Sequence, residues 1–385
     1  MEFSYTEEQQ LLRDTMRRFA EKEIRPNVGE WDEAQKFPAA VVDGLGKMGM
    51  LGIMVPAEWG GAALRYIDYI IIMEEISRVD ASVGLILAAH NGLCCTHILL
   101  AGNDDQKSAY LAPLASGQKL GAWALTEPSS GSDAASAQTT ARLDGQHWVL
   151  NGTKSFCTNA NYADVFVVVA VTDPGKEAKG LSAFIIEKGT GGLTIGKKEN
   201  KLGMRASDTA SLLLDDCRIP AANLLGERGQ GFIGALQVLE RGRIAIAALS
   251  VGIAQGAFEA AARYAGERVQ FGKPISAFQG IQWKLADMAT RIEAGRLLTY
   301  QAAVLRDLGQ RCTLQSSMAK LFASEAAVWV AEEAIQIHGG YGFIKDYPVE
   351  KFWRDSKLCT IGEGTSEIQR MIIAREILQQ YRRPN

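Results

Sequence analysis

The sequence predicts an α+β protein with three domains: an N-terminal helical domain, a central antiparallel β domain and a C-terminal four-helix bundle. Two observations support this prediction. Apolar residues recur at helical spacing in both ends of the 385-residue chain, and a stretch of short β-branched runs rich in glycine and proline lies between them. These changes place the domains at residues 1–119, 120–228 and 229–385. With 47% hydrophobic residues, the chain can bury more than one core.

The N-terminal domain is predicted from a series of amphipathic segments. Glu7–Ile24 repeats apolar residues at helical spacing, and Thr6 followed by Gln9 fits a capping box. Further helices are predicted in four segments: Ala39–Met48, Tyr66–Val79, Ser82–Ala101 and Asp104–Ala115. Proline residues and a glycine pair separate them, as expected of connections between helices.

The central domain is predicted to be an antiparallel sheet. Asp164–Thr172 is rich in β-branched residues, and Leu181–Ile186 and Thr209–Leu214 are short apolar runs. The run that begins at Trp148 is followed by Asn151-Gly152, a dipeptide typical of tight hairpin turns. The density of turn residues favours a sheet of hairpins over alternating strands and helices.

The C-terminal domain is predicted to be helical to its end. Phe232–Arg263, Phe278–Leu308 and Thr313–Ile337 are long periodic segments. A last helix begins near Ser366, because Ser366 followed by Gln369 fits a second capping box.

Composition argues against several classes of function. The formal net charge of −3 predicts neither a nucleic acid nor a membrane surface as a partner. Apolar stretches such as Val83–Ala89 and Val165–Val171 are too short to span a bilayer, and the first residues lack the pattern of a secretory signal. The six cysteines are scattered and the four histidines lack zinc-ligand spacing. We therefore expect a cytoplasmic protein with reduced thiols and no metal site.

Four polar segments combine the residue types that a functional site needs. They are Trp123–Asp133, Asn151–Asn159, the pair Glu267–Lys273 with Gln336–Gly340, and Ile361–Arg370. Taken singly, each has a structural explanation: a linking loop, a hairpin, a charged helix end with a glycine cap, and a loop before a helix. Together they resemble the acyl-CoA dehydrogenase family over essentially the whole chain. Within that family the chain looks most like the short-chain enzymes.

The resemblance implies FAD as cofactor, bound by the first two segments. Thr126 would contact the pyrimidine edge of the flavin, and Ser132 would contact the FAD pyrophosphate and the CoA thioester. Phe156 would lie against the isoalloxazine where the family usually has tryptophan, and Thr158 would lie near N5. Small residues and hydroxyls suit this task, because they let backbone N–H groups approach an anion. The same resemblance implies four more FAD contacts: Trp123, Leu125, Thr365 and Glu367.

The third segment would bind the FAD of a neighbouring subunit. Arg268 would pair with the pyrophosphate, for which a guanidinium fork is a natural partner. The other residues that the resemblance places there are Phe271, Gln279, Gln336, Gly339 and Gly340. The protein is therefore expected to be a homo-oligomer, a dimer of dimers.

The fourth segment would supply the catalytic base. In many family members the glutamate of Glu-Gly-Thr-Ser removes a proton from the substrate, and here that residue is Glu363. A subgroup takes its base instead from the position of Gly242, which has no side chain to act as one. The expected substrate contacts are Ser132, Glu240, Arg243 and Gly364.

The implied reaction is flavin-dependent α,β-dehydrogenation of a short-chain or branched acyl-CoA to the trans-2-enoyl-CoA. Electrons would then pass to electron-transfer flavoprotein. Three alternatives remain: an acyl-CoA oxidase, a flavoenzyme of the same fold with a non-CoA substrate, and a binding or assembly protein that has lost the chemistry. The sequence leaves open the acyl chain length, the pathway and the roles of Phe156 and Cys157.

Overall fold

The computed structural model describes residues 4–381 and confirms the predicted order of helices, strands and helices. The N-terminal helices are α1 (Glu7–Phe19), α2 (Val28–Ala34), α3 (Ala39–Lys47), α4 (Tyr66–Ser77), α5 (Ala81–Leu87), α6 (Thr96–Ala101), α7 (Asp104–Gln106) and α8 (Ala112–Ala115). π-Helical segments extend α1 and join α5 to α6 and α7 to α8: Ala20–Ile24, Ala88–Cys95 and Lys107–Leu111. The predicted capping box of α1 is confirmed, with Thr6 Oγ1 accepting from the Gln9 amide at 3.2 Å. Helix α2 was not predicted.

The central strands are β1 (Gly121–Ala124), β2 (Thr140–Asp144), β3 (His147–Thr158), β4 (Val165–Val171), β5 (Leu181–Glu187), β6 (Leu193–Lys198), β7 (Thr209–Pro220) and β8 (Leu224–Leu225). Their order in the sheet is β6-β7-β3-β2-β4-β5-β8, and β1 also pairs with β4. Most pairs are antiparallel, as expected, but β1 and β2 pair with β4 in parallel. A separate small hairpin consists of β9 (Val269–Gln270) and β10 (Lys273–Pro274).

The prediction of a turn at Asn151-Gly152 is wrong. Strand β3 continues through both residues, and its register against β7 shifts between Leu150 and Gly152, which marks a bulge. Gly152 has φ of 147°, and a Cβ there would lie 2.6 Å from Thr139 Oγ1. Glycine is needed here for a bulge and a close approach, two roles that the dipeptide signal cannot distinguish from a turn.

Both faces of the sheet are buried. Along β4, Val165, Val167 and Val169 face one apolar cluster, which includes side chains between Cys94 and Ala115. The intervening residues, Phe166, Val168 and Ala170, face a second cluster on the other side. This alternation is the two-residue period of a strand, and it anchors the loops at the strand ends.

The C-terminal helices are α9 (Gly231–Glu267), α10 (Gln279–Asp307), α11 (Thr313–His338), α12 (Val349–Cys359) and α13 (Ser366–Gln380). Helices α9 and α11 pack together, with α10 against both and α12 against both, while α13 packs on α11. Helix α12 was not predicted. Helices α4 and α9 share one apolar core, so the two helical regions are continuous. The N-cap of α13 is Thr365, not the predicted Ser366: Thr365 Oγ1 accepts from the Ile368 amide at 3.3 Å.

Two helices, Ala81–Ala101 and Gly231–Glu267, are long and apolar enough to cross a membrane. The stretch Val83–Ala89, which the sequence analysis considered too short to span a bilayer, lies within the first of them. Of their most apolar windows, 83% and 78% are buried inside the fold, as in the core helices of soluble proteins.

Candidate active site

A strained turn between α12 and α13 presents the side chain of Glu363. Glu363 and Gly364 have φ of 54° and 92°, in the left-handed region that non-glycine residues rarely adopt. Two side chains hold the turn. Lys320 Nζ donates to the Gly364 carbonyl at 2.6 Å, and Gln369 Nε2 donates to the same oxygen at 3.1 Å. Strain of this kind persists where the surrounding structure imposes it, and it clusters at functional sites.

The Glu363 carboxylate lies directly against Gly242 of α9. A Cβ on residue 242 would overlap Oε2 of Glu363, so the carboxylate occupies the space that a side chain there would fill. Oε2 is buried and has no hydrogen-bond partner among residues 4–381. Burial raises the pKa of Glu363 to about 7, although Lys320 and Arg243 act in the opposite direction. A carboxylate with this pKa can accept a proton near neutral pH.

Polar groups without partners surround this carboxylate. Within the described part of the chain, Tyr69 Oη and Arg243 Nε are buried and make no hydrogen bond. Burial lowers the pKa of Arg243, whose Nη1 lies 3.5 Å from Ser317 Oγ. Tyr66 is engaged, since its hydroxyl donates to the Arg241 carbonyl at 2.6 Å. Unsatisfied buried donors next to an unsatisfied acceptor indicate a site that a polar ligand completes.

Hydrogen bonds join the first two polar segments in the β domain. The Ser155 amide donates to the Thr126 carbonyl at 2.8 Å. Lys154, which is 0% exposed, pairs with Glu127 at 2.7 Å and donates to the Leu125 carbonyl at 3.0 Å. This internal ion pair was not predicted from the sequence. It fixes the loop that begins at Leu125 against β3.

The joined segments expose some predicted contacts and bury others. Phe156 has φ of 56° and is 67% exposed, and Ser132 is also exposed. Thr158 is partly buried, whereas Cys157 is buried and burial raises its pKa, which disfavours the reactive thiolate. The Trp123 indole points inward and donates to His97 Nδ1 at 3.0 Å.

The third segment forms an open cleft where α9 ends and α11 meets its glycine turn. The cleft has a volume of about 490 Å³, and Arg268, Gly339 and Gly340 contribute to its lining. The Arg268 guanidinium lies 5.4 Å from the centre of the Tyr341 ring. Phe271 is 93% exposed at φ of 53°. Gln279 and Gln336 are exposed as well.

The structure does not bring all predicted site residues together. Within residues 4–381, no hydrogen bond or ion pair joins the Arg268 cleft to the β-domain loops or to Glu363. Thr365 uses its hydroxyl to cap α13, and Glu367 lies in the exposed first turn of that helix. Glu240 lies on α9, as Gly242 does, and its carboxylate accepts a hydrogen bond from the Thr313 hydroxyl at 2.6 Å.

Sequence reasoning missed Lys320, Gln369, Tyr69 and Lys154. The signal for Lys320 is a lysine inside the mostly apolar stretch Met318–Ala323, where a charge is costly unless it has a partner. Tyr69 gives no such signal, because a tyrosine on an apolar helix face is ordinary core material.

Family models identify the class of protein. Models described as the acyl-CoA dehydrogenase N-terminal, middle and C-terminal domains match residues 6–118, 122–217 and 229–378. The chain therefore belongs to the acyl-CoA dehydrogenase family, whose members are flavin-dependent oxidoreductases that act on CH–CH bonds and bind FAD.

Individual relatives narrow the comparison to short-chain enzymes. The chain is 48% identical over 379 residues to a short-chain specific acyl-CoA dehydrogenase of Clostridium acetobutylicum, covering 98% of this chain and 100% of the relative. It is 50% identical to the mitochondrial short-chain specific enzyme of Homo sapiens, with 98% and 91% covered. The butyryl-CoA dehydrogenase structure from Megasphaera elsdenii superposes with a TM-score of 0.97 at 42% identity, covering 98% and 100%. A chain in a structure on the electron transferring flavoprotein of Acidaminococcus fermentans gives a TM-score of 0.97 at 46% identity, with the same coverage.

The residues present suit FAD. Phe156 offers an exposed flat apolar face, and Ser132 lies in an exposed loop of small residues. The cleft at Arg268 offers a guanidinium beside two glycines, a combination that can bind a pyrophosphate.

Proposed function

We propose that this protein catalyses the α,β-dehydrogenation of a short-chain or branched acyl-CoA to the trans-2-enoyl-CoA, with Glu363 as the catalytic base. One observation carries the proposal: the Glu363 carboxylate is buried against Gly242, without a partner for Oε2 among the described residues, and with a pKa raised to about 7. A base of this pKa combines substantial ionisation at neutral pH with the driving force to take a proton from carbon.

Glu363 removes the proton from Cα of the thioester. Negative charge then develops on the thioester oxygen, and donors placed there in advance lower the barrier. The backbone N–H of Glu363 would be one such donor, because the left-handed turn carries the backbone and the carboxylate together. Gly364 lets the chain pass close to the thioester. Burial of Oε2 against Gly242 keeps the carboxylate basic.

Bound FAD would supply the acceptor for the hydride that leaves Cβ. Residues of the β domain would hold it: Leu125, Thr126, Ser132, Phe156 and Thr158, together with Trp123, Thr365 and Glu367. A second group would come from a neighbouring subunit: Arg268, Phe271, Gln279, Gln336, Gly339 and Gly340. This division is supported by the exposed Phe271 ring and by the cleft at Arg268, both of which remain open within one chain.

The substrate contacts would be Arg243, Glu240, Ser132 and Gly364. Arg243 supports this role best, because it is 7% exposed and its Nε lacks a partner among residues 4–381. Gly362 would leave room for a branched acyl group. A Cβ at that position would meet Leu358 at 3.5 Å, an ordinary contact, so the glycine is not required by crowding within the chain.

The partners in this proposal are electron-transfer flavoprotein and copies of the same chain in a dimer of dimers. The first is supported by the 46% identical chain in the A. fermentans study, and the second by the exposed Phe271. We place the protein in the cytoplasm, in keeping with its bacterial relatives.

The deciding experiment is Glu363→Gln, which keeps size and shape but cannot accept the proton. Flavin reduction by butyryl-CoA under anaerobic stopped flow should fall by at least about 10⁴-fold, the upper end of the effect of a general base. FAD content, read from the visible spectrum, should be retained.

Glu240→Gln is the matched control, because it neutralises a nearby carboxylate on α9. In this variant, butyryl-CoA should reduce the flavin at a rate within about tenfold of wild type, because Glu240 is expected only to bind substrate. Near wild-type reduction by Glu363→Gln, with a large loss in Glu240→Gln, would move the base to α9 and overturn the proposal. Steady turnover of the wild type with oxygen alone would favour an oxidase instead.

A further inference from the structure

Lys320 is a fully buried charged residue that the proposed reaction does not use. It lies on α11 with 0% of its surface exposed, and its one hydrogen bond in the described structure is to the Gly364 carbonyl at 2.6 Å. Burying an ammonium group is unfavourable unless nearby groups compensate for the lost hydration. A single backbone carbonyl compensates poorly, so the position needs a further explanation.

The position of Lys320 supplies that explanation. The carbonyl that it binds belongs to the residue directly after Glu363, and both residues have positive φ. Two cations favour the ionised form of Glu363. Lys320 has the larger effect, and Arg243 on α9 has the smaller. Burial lowers the pKa of Lys320 to about 8, so it keeps its proton at pH 7.

We propose that Lys320 is a positioning residue for the base: it holds the Glu363–Gly364 turn in its left-handed conformation and keeps a positive charge beside the carboxylate. This inference rests on the proposed role of Glu363. Without Lys320, the desolvated carboxylate would take up its proton at higher pH and would be ionised in a smaller fraction of molecules at neutral pH.

The other titratable groups around this site are few. Glu363 faces Tyr66 and Tyr69 from α4 and Arg243 from α9. Lys320 faces Cys359 from α12 and Glu325 from its own helix. Burial raises the pKa of Cys359 to about 11, so this thiol stays neutral near pH 7. Both tyrosine pKa values are raised well above 10. Arg243 and Lys320 are therefore the groups that oppose the desolvation of Glu363.

The test is the pH dependence of flavin reduction in Lys320→Met, which keeps the length of the side chain and removes the charge. Anaerobic reduction by butyryl-CoA is measured from pH 6 to pH 9. The rate falls on the acidic side as Glu363 is protonated. Loss of a neighbouring cation should raise the midpoint of this fall, the acidic limb of the profile, by about one pH unit. The variant should then be about tenfold slower than wild type at pH 6 and within about twofold at pH 9, with little change in KM.

Lys284→Met is the control, because it removes a lysine that pairs with Glu333 and is not among the cations that act on Glu363. Its acidic limb should match that of the wild type. If Lys320→Met were slowed equally at every pH, the residue would be merely structural and the inference wrong. That outcome would leave the role of Glu363 untouched, since Glu363→Gln tests it separately.

A second measurement does not depend on turnover. The fall in melting temperature caused by Lys320→Met at pH 7.5, between the pKa values of Glu363 and Lys320, should be larger in the wild-type background than in Glu363→Gln, where no carboxylate charge remains to pair. Equal falls in the two backgrounds would also overturn the inference. If Lys320→Met does not fold, Lys320→Gln is measured in the same two assays, with the same outcomes deciding.

Discussion

The two candidate sites differ in how much of them one chain completes. Around Glu363, groups from α4, α9, α11 and α13 lie against the carboxylate or hold its turn, and burial raises its pKa although Lys320 and Arg243 lower it. Around Arg268, the chain leaves an open cleft and a phenylalanine that is 93% exposed. A site that must remove water is built within one chain, whereas under the proposed function a second chain would cover the site that binds an extended charged group. Three changes test this contrast.

The space between Gly242 and the Glu363 carboxylate should be too small for a side chain at residue 242. In Gly242→Ala, the new Cβ would overlap Oε2 of Glu363 and push the carboxylate away from the substrate. A displacement of about 1 Å can cost roughly 10²-fold, so flavin reduction by butyryl-CoA should fall by about that factor. Folding should be unharmed, because alanine favours a helix more than glycine does.

Gly295→Ala on α10 is the control for this substitution. Its Cβ would make an ordinary contact with Ala323 at 3.6 Å, and its flavin should be reduced at the wild-type rate. An unimpaired Gly242→Ala enzyme would mean that the carboxylate reacts from some other position.

The open cleft should lose cofactor when its guanidinium is removed. Arg268→Ala should weaken FAD binding by roughly 10- to 100-fold, the worth of one charge-assisted hydrogen bond. The measurement is flavin released during gel filtration at a series of protein concentrations. Arg291→Ala is the control, because Arg291 is exposed but stacks on Trp329 of its own chain at 4.3 Å.

Concentration dependence sharpens this prediction. If a second chain completes the cleft, dilution that dissociates the dimer should release FAD from the wild type as well. Light scattering that showed a monomer with a full complement of FAD would contradict the proposed sharing of the site between subunits.

Burial of the Glu363 carboxylate should also lower the stability of the fold, which is the smallest of the three expected effects. The folded-state pKa of Glu363 is raised from 4.5 to about 7, so the favourable protonated form is present at low pH and is lost as pH rises through 7. At pH 8, the free energy of unfolding of Glu363→Gln should therefore exceed that of wild type by about 2 kcal/mol. This value is below the upper limit, which is about 1.36 kcal/mol for each unit by which the pKa is raised. The advantage should vanish below pH 4.5 in chemical unfolding. A variant equally stable at both pH values would show that the buried carboxylate costs nothing.

Local patterns in the sequence were sufficient for the order of the domains, the capping of α1 by Thr6, and the location of Glu363 before the last helix. Each depends on residues a few positions apart, so periodicity and spacing carry the information. Short elements were missed. These are α2, with 7 residues, and α12, with 11, although α3, with only 9, was predicted.

Contacts between distant residues decided the rest. Asn151-Gly152 became a bulge because β3 continues alongside β7, and Thr365 caps α13 because the preceding turn is held by Gln369 and Lys320. Lys320 lies 44 residues before Gly364, and Gly242 is farther still from Glu363. A motif can name the glutamate, but its pKa depends on which groups surround it and exclude water. Those groups come from four helices that meet only when the chain has folded.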